Sequence, residues 1–250
     1  SIYFVMVFCC IHIHSLALEK PWVKWFGEGA MNVASALQTL YLVFYLQTLL
    51  GDDFSLLWQL CFEDDEDVDE LAPPSKIQRV VLSRWWSVGH AAAQVIGQYA
   101  EWKKFASFIA TYEKNLPKAI ALQLFQFMSN DEIQADIMFC HLYCKHFWAP
   151  HQKWLQDHDS ITKEYGFRSH RMATHIYLMQ LDMASINNWK TDARFSKLMT
   201  FIDEFDAEAK DKAAMKIDGF LVDAEKKYSA HWDRWREEPE LLTYVLGEQI

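Results

Sequence analysis

The chain predicts a mainly α-helical fold, an irregular multi-helix bundle with a short N-terminal β-strand remnant. Three observations lead there. With only 8 Gly and 6 Pro in 250 residues, turn formers are too sparse for a sandwich of many short strands. Beyond Lys76, apolar residues recur at three- and four-residue spacing almost to the end. Residues 2–13 break that pattern: they are β-branched and aromatic with hardly a polar group before His12, as in a buried strand.

The elements follow in order. From Ser15 the strand pattern gives way to a helical one, Leu16 to Leu18 running into Trp22 and Trp25. A long apolar helix covers about 31–50 and ends in the turn Gly51-Asp52-Asp53, and a shorter helix covers about 54–62. Seven acids then crowd between Glu63 and Glu70, ahead of Pro73-Pro74. Like charges at that density repel and resist burial, so a solvated loop is expected, with an acidic docking site as the lesser reading. Three regions result: 1–62, strand plus helices; 63–76, the acidic loop; and 77–250, a helical bundle. Within the last, helices are expected at about 78–101, 103–115, 117–129, 131–157, 169–186, 192–209 and 211–236. Asn130 is a suitable N-cap for the helix from Asp131. Phe195, Leu198, Met199, Ile202 and Phe205 share one helical face.

Composition bounds the function. Hydrophobic residues make up 51% and charged residues 23%, with 11 Trp, so one large or two small cores can form. A net charge of −10 disfavours a free-standing nucleic-acid binder, because phosphate contacts need clustered Lys and Arg. Five Cys, an odd and sparse set, suit reduced thiols in a nuclear or cytoplasmic setting. The apolar opening has small residues at Ser15-Leu16-Ala17, at signal-cleavage spacing. It lacks a basic leader and is interrupted by His12 and His14, so export or a membrane anchor is the minor reading. The run 36–50 is too short to span a bilayer, and no membrane partner is expected.

Two constellations invite chemistry. Cys9 and His12 stand at C-x-x-H spacing where strand yields to helix. They could share a zinc ion only if Cys140, Cys144, His141 or His146 packed nearby; buried apolar cysteines are the simpler reading, and no metal ligands are assigned. Arg84-Trp85 opens a helix behind Ser83, a good N-cap. An indole there could stack on an unpaired base while the guanidinium holds a phosphate, although adjacent Trp85-Trp86 also suits a core. His170, Arg171 and His175 share a helix without a carboxylate placed beside them, and His175 and Asp182 stand nearly two turns apart. There is no glycine-rich phosphate loop, nucleophile elbow or H-E-x-x-H motif.

Cys9, His12 and Leu16 match the spacing of the C-x-x-H-x-L-x-L element of hAT superfamily transposases. Ser83-Arg84-Trp85-Trp86-Ser87 resembles that family's T-R-W-x-S pattern, and residues 147–156, ending in Trp154-Leu155-Gln156, resemble a helix it carries in the same order. The likeness covers roughly residues 5–190. It implies a ribonuclease-H-like sheet interrupted by a large helical insertion, of which this chain would be the insertion with one flanking strand. It further implies catalysis by two Asp upstream and one Glu downstream holding two Mg or Mn ions in a complete enzyme. No match to the downstream Glu segment occurs here: Glu237-Glu238-Pro239-Glu240 does not fit it. The resemblance therefore implies no catalytic residues and no cofactor in this chain. Arg84 and Trp85 become the DNA-binding candidates, DNA the partner of the complete transposase, and a homo-oligomer a further expectation. The competing expectation is a helical protein-interaction scaffold with no nucleic-acid role.

Overall fold

The computed structural model describes residues 17–29, 31–50, 53–63, 74, 77–81, 85–112, 118–156 and 169–237. Among these residues 84% are helical and none forms a strand, so the fold is mainly α, a bundle of ten α-helices. The expected strand at 2–13 and nearly all of the acidic stretch 63–76 lie outside the described residues. No helix among the described residues is long and apolar enough to cross a membrane.

In chain order, 17–22 is helical and runs into a π-helical turn, Val23–Gly27. Ten α-helices follow: α1 Val33–Leu50, α2 Asp53–Phe62, α3 Trp85–Ile96, α4 Tyr99–Thr111, α5 Lys118–Met128, α6 Asp131–Tyr143, α7 Ala149–Gln156, α8 Ser169–Ile186, α9 Ser196–Asp203 and α10 Ala207–Glu237. A second π-helical turn, Cys144–Trp148, joins α6 to α7, and a short 3₁₀ turn, Ala193–Phe195, precedes α9.

Local chemistry explains several boundaries. Asn32 starts α1: its side-chain oxygen accepts from the Ser35 backbone N–H at 2.8 Å, and its amide donates to the Gly29 carbonyl at 2.6 Å. Gly29 sits at φ +84°, which a residue with a Cβ rarely adopts. Asn130 caps α6 as expected, accepting from Ile133 N–H at 3.3 Å. Several boundaries differ from expectation, among them the end of the helix expected at 103–115, which stops at Thr111 with Tyr112 extended. The helix expected at 78–101 is absent at 77–81 and breaks between Ile96 and Tyr99, where Gly97 supplies no side chain to hold the turn. The expected 131–157 helix bears a π turn just before Pro150. That proline has no N–H to donate and its ring would crowd the carbonyl four residues back, at His146, inside the widened turn. The expected boundary at 209–211 moves to 204–206, because Asp206 accepts from Ala209 N–H at 2.9 Å and caps α10.

The chain divides into two compact units, neither a continuous stretch. One comprises residues 26–82 and 87–141. Its core is an aromatic cluster in which Trp58 of α2 lies 5.3 Å from Trp102 and 5.0 Å from Phe105 of α4, ring centre to ring centre, with Phe54 closing the group. Trp58 and Trp102 are wholly buried. Helix α5 packs along both α4 and α1. The non-helical residues 77–81 are tied to α3: Gln78 N–H donates to Gln94 Oε1, and Val81 N–H to Ser87 Oγ, both at 2.8 Å.

The other unit comprises residues 1–25, 83–86 and 142–250. Its described core sets Tyr143 edge-on to Phe220 at 5.1 Å and Phe147 edge-on to Tyr228 at 5.7 Å. Phe195, Leu198 and Ile202 are buried, as their shared face requires, whereas Met199 and Phe205 are half-buried. Helix α10 is gripped twice by the same device. Asp223 accepts from Trp25 Nε1 at 2.8 Å and Lys24 Nζ at 2.7 Å. Asp218 accepts from Trp189 Nε1 at 2.8 Å and Lys190 Nζ at 2.7 Å. Between them Gly219 lies directly under the Trp25 ring.

Candidate functional site

Of the residues singled out by sequence, Cys9, His12, Leu16 and Arg84 lie outside the described residues. Trp85 is described as backbone only, and it is the first residue of α3. The serine two positions on does have a described role. Ser87 is buried, and its hydroxyl both accepts from Val81 N–H at 2.8 Å and donates to Val81 C=O at 3.1 Å. One side chain thereby satisfies both backbone polar groups of Val81. It fixes the approach of 77–81 to the first turn of α3.

One group of ionisable side chains lies where α7 meets α8. His151 is buried, and its Nε2 stands 2.9 Å from Asp182 Oδ2. The buried His175 ring lies 5.0 Å from that of His151, edge to face. Trp154 stacks flat on His175, with centroids 3.9 Å apart and planes 7° from parallel. The helical repeat produces this arrangement. His151 and Trp154 are three residues apart on α7, while His175 and Asp182 are seven apart on α8, so each pair shares a face.

Electrostatics fixes what the pair can do. Burial pushes the His151 imidazole below its ordinary pKa of 6.5, with the Asp182 carboxylate pulling the other way. Burial prevails, so at neutral pH a neutral imidazole faces the carboxylate. Its Nε2–H donates to Asp182, which selects one tautomer and ties α7 to α8. His146, in the π turn, is also lowered, by burial and then by the nearby Lys145 and Arg194 charges. In the same turn, burial pushes the Cys144 thiol up to about 12, which keeps it a neutral thiol at neutral pH.

Beyond the C-terminal end of α8, Arg194 grips Asp192 through Nε at 3.0 Å to each carboxylate oxygen, and its terminal NH2 nitrogen donates to Ser185 Oγ at 2.8 Å. That grip, with the Arg194 backbone N–H, holds the Asp192 carboxyl below its ordinary range. The two line an open depression with Ser185, Asn188 and Thr191. Its one guanidinium is already neutralised by its own neighbour, so the depression offers an anion little net attraction.

Among the described residues no group of three or more His, Cys, Asp or Glu could hold a metal ion. Sequence spacing did not bring Asp182 to His151, because their contact spans 31 residues. The seven-residue separation of His175 and Asp182 was the available signal, since it sets both on one face of α8.

No family model, no curated protein and no solved structure matches the chain.

Proposed function

We propose that the chain is the helical region of a hAT-type transposase, or a domesticated derivative of one. It acts in the nucleus or cytoplasm, is non-catalytic by itself, and helps to position DNA ends or a partner subunit. The observation that carries this reading is the start of α3 at Trp85, the point where the family pattern opens its helix on an Arg-Trp pair. An indole at a helix N-terminus suits stacking on an unpaired base, and the adjoining Arg84 suits a phosphate. The mainly helical described residues agree with an insertion rather than with a catalytic sheet. In a complete enzyme Mg or Mn would be bound by acids outside this chain.

Fluorescence anisotropy with a hairpin-ended DNA at low salt tests the proposal. The chain should bind weakly, and Trp85→Ala should reduce binding about tenfold or more while leaving the helical circular dichroism intact. Unchanged binding by Trp85→Ala, or global unfolding by it, would remove the functional assignment.

A second reading, a helical interaction scaffold without a nucleic-acid role, is favoured by one observation. Tyr177, Leu178 and Leu181 stand about half exposed on α8 in a chain of net charge −10. Absence of DNA binding even at low salt, together with saturable binding of a protein partner lost on Leu178→Lys, would decide for it.

A further inference from the structure

We draw no further inference here: the strongest candidate, the outward face of α8 bearing Tyr177, Leu178 and Leu181, is an unpartnered apolar face and nothing in the structure shows what covers it.

Discussion

Gly219 and His151 each turn a single side-chain property into a constraint on the fold. At Gly219 a Cβ would fall 2.3–2.6 Å from three atoms of the Trp25 indole, closer than such atoms can approach. The ring cannot easily retreat, because its Nε1 is held by Asp223. Alanine favours a helix interior over glycine by about 1 kcal/mol, yet here the collision should prevail. Gly219→Ala should destabilise the protein by about 1–3 kcal/mol in urea unfolding. Much of that loss should vanish in a Trp25→Ala background, where the colliding ring is gone. A stabilised Gly219→Ala protein would show that Trp25 does not occupy this seat.

His151 supplies a pH dependence whose sign follows from burial. Its folded pKa lies below the ordinary value of 6.5, so the unfolded chain takes up the proton more readily. The stabilisation is complete above about pH 6.5 and is lost as pH falls from there towards the folded pKa. The urea midpoint should therefore drop between pH 7.5 and pH 5.5. His151→Gln, which keeps a donor for Asp182, should flatten that drop. An identical pH profile in the variant would assign the effect to other groups.

At the scale of elements, side-chain handles fasten helices and the non-helical segment 77–81 together. Ser87 holds residues 77–81 to α3 through both polar groups of Val81. Ser87→Ala would strip the partner from a part-buried backbone N–H, and about 1–2 kcal/mol of stability should go with it. Amide exchange at Val81 should rise more than that at Gln78, whose own bond runs to Gln94. Equal protection at Val81 before and after substitution would contradict the tether. Docking of α2 on α4 depends on a larger contact. Trp58→Ala would empty the middle of the Phe54, Trp102 and Phe105 cluster, at a cost of about 3–5 kcal/mol. Trp58→Phe should recover a good part of it.

For the whole molecule, charge and the placement of acids set the expectation. With a net charge of −10, duplex DNA should be held only weakly at physiological salt, and any binding should weaken steeply as salt rises. Two-metal hydrolysis needs several carboxylates converging on one point. Among the described acids, Asp182, Asp192, Asp218 and Asp223 are instead committed to His151, Arg194 and the two Trp-Lys pairs. The purified chain should therefore leave a hairpin or nicked DNA uncut in Mg²⁺ or Mn²⁺. Metal-dependent cleavage abolished by mutating one of its own acids would overturn the non-catalytic reading.

The sequence by itself determined the helical class, since 3.6-residue periodicity and scarce turn formers are local properties that need no knowledge of neighbours. It also determined Asn130 as the cap of α6 and the buried face through Phe195, Leu198 and Ile202. Breaks at 97–98, 144–148 and 204–206 were less legible, because Gly97, Pro150 and Asp206 are each tolerated inside or beside a helix, and context selects the outcome. Only the tertiary structure decided which side chains meet. The contact of His151 with Asp182, the seat of Trp25 on Gly219, and the paired grips on Asp218 and Asp223 span from 28 to 199 residues. Such pairings depend on how helices cross in space, and no spacing along the chain encodes that crossing.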